Sequence, residues 1–289
     1  MTTRDQWIAG ARPKTLPAAI APVLVGTSFA GYNATFLHTL LALIVALALQ
    51  VGVNYANDYS DGIKGTDSDR VGPMRLVGSG AATPDAVKKA ALLSFLIAAI
   101  AGLILASQTS WLLILLGAVC IGAAWTYTGG PKPYGYQALG EVSVFIFFGV
   151  VATVGTYYVQ TESISREVLL ASFAMGALAC AILVLNNLRD LEKDRSSGKK
   201  TLAVVMGDKE TRDLYKWLMF FALVMSVALT FFSFYYLLAL ISLPLVSKSV
   251  RTVSAGASGD VLIDLLAKTG RIQIIYAVAI SLAAWLVAR

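Results

Sequence analysis

Nine apolar runs punctuate the chain, at residues 16–32, 39–57, 86–106, 111–127, 138–160, 168–188, 214–232, 234–247 and 271–288. Most approach the roughly 20 residues a helix needs to cross a hydrocarbon core about 30 Å thick. Alternating segments of about 10 residues, which a membrane barrel would require, are absent. The pattern predicts an all-α, polytopic membrane bundle of about nine transmembrane helices. The eighth run is short and contains Pro244, so eight is the alternative count. The first run follows Arg4, Arg12 and Lys14 in the manner of a signal peptide, but further runs come at once, and it is read as a span. No low-complexity linker divides the chain, and residues 1–289 read as one membrane-embedded domain.

Composition agrees: the chain is 57% hydrophobic and 14% charged, with mean hydropathy +0.71, against about 25% charged in soluble domains. The net charge of +6 is mostly a topology signal rather than a sign of nucleic-acid binding. Of the 23 Lys and Arg residues, all but Arg166 and Arg289 fall on one side of the bundle, which positively charged loops mark as cytoplasmic. The expected protein is thus a multi-pass protein of the cell inner membrane, embedded in the lipid bilayer with its N-terminus and its long polar loops inside. Cys120 and Cys180 lie within apolar runs and read as unpaired core residues.

The polar chemistry gathers at two places on that side. Asn54 to Asp69 runs out of the second span carrying Asp58, Asp61, Asp67 and Asp69. Acids at a membrane boundary usually face a polar cavity and mark function. On a helix, Asn54, Asp58 and Asp61 share one face. The sixth span ends in Asn186, Asn187, Asp190 and Asp194, again on one arc, so that Asn54-x3-Asp58 is echoed by Asn186-x3-Asp190 four helices later. Such an even offset predicts parallel repeats. Carboxylate and amide oxygens suit a hard cation, Mg²⁺ in particular, which binds through one or two carboxylates plus substrate phosphates. The sole histidine, His38, is at the opposite side. Lys64, Arg70 and Arg75 follow the first cluster, and Arg195, Lys199 and Lys200 the second. A metal and phosphate crown above apolar walls fits an amphiphile with a diphosphate head, such as a polyprenyl diphosphate. Charge neutralisation of the leaving diphosphate would permit C1–O ionisation, and exclusion of water would protect the allylic cation.

These residues resemble the UbiA superfamily of intramembrane aromatic prenyltransferases, over essentially the whole chain. Asn57-Asp58-x2-Asp61-x5-Asp67 is similar to its first Asp-rich motif and Asn187-x2-Asp190-x3-Asp194 to its second; Tyr127 to Pro133 resembles a segment after helix 4 with a Tyr and a Lys near the diphosphate. Ala11 to Pro17, the extended first motif, Arg70 to Pro73 and Gly140-Glu141 look like the 1,4-dihydroxy-2-naphthoate branch. The resemblance implies Mg²⁺-dependent transfer of a polyprenyl group to 1,4-dihydroxy-2-naphthoate, with loss of CO2 and diphosphate, giving demethylmenaquinone on the cytoplasmic side. It implies Asp58, Asp61, Asp190 and Asp194 as ligands of Mg²⁺, two ions in number, with Asn54, Asn57, Asn186 and Asn187 as amide ligands or orienters. Asp67 would steer the acceptor or complete the metal shell. Lys64, Arg75, Tyr127, Lys132 and Lys199 would contact the diphosphate, and Arg12 or Lys14 the acceptor's carboxylate. Among the aromatics, Phe145, Phe147, Phe148, Tyr157 and Tyr158 are open to a tunnel or a packing role, and Glu141 to a polar cap or an acceptor pocket.

Alternatives remain at this point. Another aromatic acceptor, 4-hydroxybenzoate or homogentisate, would use the same machinery. A cation-coupled transporter would also carry intramembrane acids, though usually near the midplane on broken helices. A phospholipid head-group transferase lacks its Asp-Gly-x2-Asp-Gly-x2-Ala-Arg pattern here.

Overall fold

A computed structural model describes residues 2–65 and 74–289. Among them, the regular structure is helical: α1 Arg4–Ala11, α2 Pro17–Phe29, α3 Phe36–Ile63, α4 Pro84–Gln108, α5 Leu112–Thr126, α6 Gly140–Thr161, α7 Arg166–Ser196, α8 Leu202–Met206, α9 Asp208–Phe231, α10 Phe234–Ser254 and α11 Asp260–Val287. Seven are long and apolar enough to cross a membrane, α3, α4, α6, α7, α9, α10 and α11, so the protein is a multi-pass membrane protein. The other two expected spans, α2 and α5, are apolar but have only 13 and 15 residues. At about 1.5 Å per residue both are shorter than the hydrocarbon thickness. Proline explains one boundary: Pro17 occupies the first turn of α2, where its missing N–H costs nothing.

Pro244 likewise does not cut the eighth span short. It sits in the first turn of an α-helical stretch, Leu243–Ser254, that continues a 3-10 stretch, Phe234–Ser242, so that α10 runs on to Ser254. The last helix begins at Asp260 rather than near residue 271. Its first turns carry Asp260, Asp264, Lys268 and Arg271 beside buried Leu262, Leu265 and Leu266, an amphipathic pattern that a search for unbroken apolar runs passes over.

α7 is the axis of the molecule, its apolar stretch far more buried than that of any other long helix. It packs against α2, α6, α9 and α11, while α3 packs against α2, α4 and α5. Small residues make the closest approach possible. A Cβ on Gly149 would lie 2.3 Å from the Gly176 Cα, so the backbones of α6 and α7 touch there. Gly149 lies in a π-helical stretch, Phe145–Val151, inside α6. Such stretches frequently mark functional sites, and here Phe147 and Phe148 face the cavity described next.

Candidate active site

The acidic ends of α3 and α7 close on one cavity of about 660 Å³. Its charged mouth is lined by Asn54, Asn57 and Asp61 from α3, by Asn186, Asn187, Arg189, Asp190, Lys193 and Asp194 from α7, and by Arg12, Lys14, Arg75, Tyr127, Tyr136 and Lys199 from the connecting segments. Below the mouth the lining turns apolar, with Val23, Val45, Leu49, Leu105, Leu116, Phe147 and Phe148. Of the two Asn-x3-Asp pairs, Asn54, Asn186 and Asp190 reach one mouth, while Asp58 does not line it.

Asp61 is the hub. Its carboxylate accepts a hydrogen bond from the Tyr136 hydroxyl and lies 3.2 Å from Lys199 Nζ and 3.6 Å from Arg75 Nη2. Those partners come from the segments after α3, α5 and α7, so one buried carboxylate ties three connections together. A backbone bond from Ala138 N–H to the Lys200 carbonyl, 2.8 Å, joins two of them again. Lys64, just past the end of α3, donates to the Thr128 carbonyl at 2.8 Å, and Thr128 Oγ1 donates to Asn57 Oδ1 at 2.7 Å.

Asp58 behaves differently. It is 1% exposed, is not part of the cavity lining, and accepts the backbone N–H groups of Leu76 (2.8 Å) and Val77 (3.0 Å). It anchors the return of the α3–α4 connection. Asp58→Asn sets an amide NH2 against one of those donors, and an unmet buried hydrogen bond costs about 1–3 kcal/mol. A lower thermal unfolding temperature in detergent is the expected result. An unchanged temperature with activity lost would instead place Asp58 among the metal ligands.

On α7, Arg189 binds its own neighbours: Nε and Nη2 donate to Asp190 at 2.8 and 2.7 Å, and Nη2 also to Asn186 Oδ1 at 2.8 Å. Asn187 Nδ2 donates to Glu141 Oε1 at 2.9 Å, so Glu141 acts from behind the cavity wall. Asn54 Nδ2 donates to the Ala11 carbonyl at 2.9 Å and pins α1 across the mouth. Not every expected residue gathers here. Lys132 is exposed and outside the lining, Lys64 is also exposed and outside it but touches Thr128 and the Tyr136 ring, which line it, Arg195 pairs with Glu192 at 3.0 Å on the surface, and Lys200 is exposed. Phe145 stacks on Phe173 instead of facing the cavity, and Tyr157 and Tyr158 do not line it. Asp67, Asp69 and Arg70 lie outside the described residues. Conversely, Tyr136, Arg189 and Lys193 were not singled out from the sequence. Arg189 sits between the two motif residues it binds, which was the available signal.

The oxygen-rich mouth fits a hard cation bound together with a phosphate. Asp61, Asp190 and Asp194 supply carboxylates, and Asn57, Asn186 and Asn187 supply amide oxygens. Among the described residues, no three His, Cys, Asp or Glu side chains form an ion site by themselves, so oxygens of a ligand such as a phosphate would have to complete a shell. Lys193 Nζ, buried in the lining without a hydrogen-bond partner among the described residues, suits an anion.

Residues 19–256 match the UbiA prenyltransferase family. The chain belongs to that family. Among its relatives, the protein named 1,4-dihydroxy-2-naphthoate octaprenyltransferase from Mycobacterium tuberculosis is 48% identical, with 97% of each chain covered. The Escherichia coli protein of the same name is 39% identical over 86% of this chain and 84% of its own. Among solved structures, an apo UbiA homolog from Aeropyrum pernix K1 superposes with a TM-score of 0.74 at 16% identity, covering 93% of this chain and 98% of that one. A UbiA homolog from Archaeoglobus fulgidus bound to DMAPP and Mg²⁺ gives 0.67 at 14% identity, covering 95% and 99%. The UbiA fold is thus shared well beyond detectable sequence likeness.

Proposed function

We propose that the protein transfers a polyprenyl group from polyprenyl diphosphate to 1,4-dihydroxy-2-naphthoate, releasing diphosphate and CO2 and giving demethylmenaquinone, formed as its quinol. One observation carries this reading: two helix ends bring carboxylates, amides and cations to the mouth of a cavity whose remainder is apolar. A diphosphate head with a hydrocarbon tail matches that division, and the names of the relatives supply the acceptor.

In this reading Asp61, Asp190 and Asp194 hold magnesium, two ions, with Asn57, Asn186 and Asn187 beside them. Bound magnesium would neutralise the charge that develops on the leaving diphosphate. Lys199, Arg75 and Lys64 bind the phosphate oxygens. Arg12 and Lys14, at the same mouth, hold the acceptor's carboxylate and turn the ring toward C1. The C1–O bond breaks, the ring carbon bearing the carboxylate supplies the electron pair for the new C–C bond, its bond to the carboxylate then breaks to release CO2 and return that electron pair to the ring, and the apolar wall keeps water from the allylic cation. In this reading the mouth opens on the cytoplasmic side of the inner membrane, an orientation that the Lys and Arg bias supports.

The test incubates purified protein with Mg²⁺ and a polyprenyl diphosphate against the naphthoate, 4-hydroxybenzoate and homogentisate separately. Prenylation of the naphthoate, abolished by EDTA and restored by Mg²⁺, is expected. Turnover of another acceptor with none of the naphthoate refutes the assignment.

A further inference from the structure

Tyr136 stands where three connections meet, and the proposed chemistry has so far given it no part. Its hydroxyl donates to Asp61, while Lys64 Nζ lies 5.1 Å and Lys199 Nζ 4.9 Å from the centre of its ring. Both distances fall within the reach of a cation–π contact. The backbone around it is fixed on either side: Gly135 N–H donates to the Tyr127 carbonyl at 2.9 Å, and Ala138 N–H to the Lys200 carbonyl. At Gly135 a Cβ would come within 2.6 Å of that same Tyr127 carbonyl, so the approach requires glycine.

We infer that Tyr136 is a positioning residue for the donor's diphosphate: its ring holds the ammoniums of Lys64 and Lys199 ready for the phosphate oxygens, and its hydroxyl orients the Asp61 carboxylate. Two ammoniums brought to one ring repel each other, and such a pair forms only where negative charge compensates. The π face of the ring and the Asp61 carboxylate supply the compensation until a polyanion arrives. A diphosphate would then meet two cations already in place, without the cost of ordering two long side chains.

The inference rests on the prenyl-transfer reading, and the experiment separates the two. Inorganic diphosphate with Mg²⁺ is titrated calorimetrically into the purified parent, Tyr136→Phe and Tyr136→Leu, and KM is measured for donor and acceptor. Tyr136→Phe keeps the ring, so its diphosphate affinity should stay within about threefold of the parent, while the Mg²⁺ concentration for half-maximal rate rises because Asp61 has lost its hydroxyl partner. Tyr136→Leu should weaken diphosphate at least tenfold and raise donor KM in step, leaving acceptor KM unchanged. Diphosphate affinity unchanged in Tyr136→Leu, or acceptor KM moving with donor KM, overturns the inference. If the leucine variant does not fold, a tenfold loss of diphosphate affinity in Tyr136→Phe overturns it, and affinity within threefold together with a raised Mg²⁺ requirement sustains it. Absence of prenyl transfer by the parent overturns the functional reading instead.

Discussion

Asp61→Ala is expected to lose about a thousandfold or more in the rate of prenyl transfer, the scale set by removing one electrostatic contact to a developing charge and compounded here by loss of an anchoring carboxylate. The reason is the number of roles that converge on one side chain. Asp61 offers a carboxylate to the charged mouth and simultaneously holds Tyr136, Arg75 and Lys199. Without it, Arg75 and Lys199 face each other across a buried site with less negative charge between them. Asp61→Asn refines the reading, because the amide oxygen still accepts from Tyr136 but the charge is gone. Both variants should be comparably inactive if charge is what matters. Single-turnover release of diphosphate, measured on monodisperse protein at saturating Mg²⁺, decides it: a rate within tenfold of the parent removes Asp61 from the catalytic set.

Gly149→Leu should prevent folding or lower the unfolding temperature more than any other single change considered. The new Cβ would meet the Gly176 Cα at 2.3 Å, its N at 2.7 Å and the Ser172 carbonyl at 3.0 Å. All three are backbone atoms, so no side chain can rotate out of the way. Overpacking a filled interior costs about 1–3 kcal/mol and more where relaxation is blocked. Separation of α6 from α7 would also shift Phe147 and Phe148 in the cavity wall and break the Glu141–Asn187 bond. Gly155→Ala provides the control on the same helix, since nothing lies within 4 Å of its Cβ position. There alanine should be neutral or stabilise by about 0.5–1 kcal/mol, the usual helix preference. Equal thermal unfolding of the two variants in detergent would contradict the packing account.

Periodicity and length carried the fold a long way. Apolar runs located nine helices because lipid demands an apolar surface along most of each span, and the two acidic faces were visible because carboxylates are costly in that setting. The same logic missed the start of α11, whose first turns are amphipathic, and could not tell that α2 and α5 are short. Within the site, residue type and spacing do not reveal what a carboxylate touches. Asp58 and Asp61 are three positions apart on the same helix, yet one is spent on two backbone amides and the other on cations from distant segments. Tyr136 escaped notice for the same reason: a tyrosine in a Gly- and Pro-rich stretch carries no periodic signal, and its importance arises from segments that meet only on folding. Lys132 shows the converse, being close in sequence to Tyr127 but exposed and outside the lining.

The burial of α7 bears on how the site accommodates molecules of different size. Ala171, Ala174, Met175, Ala177, Leu178 and Ala181 are closed in on all sides, so tilting or turning this helix would require several neighbours to repack at once. Its acidic end is the fixed jaw of a vice. The other jaw, at the end of α3, is held by hydrogen bonds and ion pairs to connecting segments, contacts that can exchange partners one at a time. Under the proposed reaction, adjustment to a bulkier head group would therefore fall to the Asp61 side, with Asp190 and Asp194 on the more rigid wall.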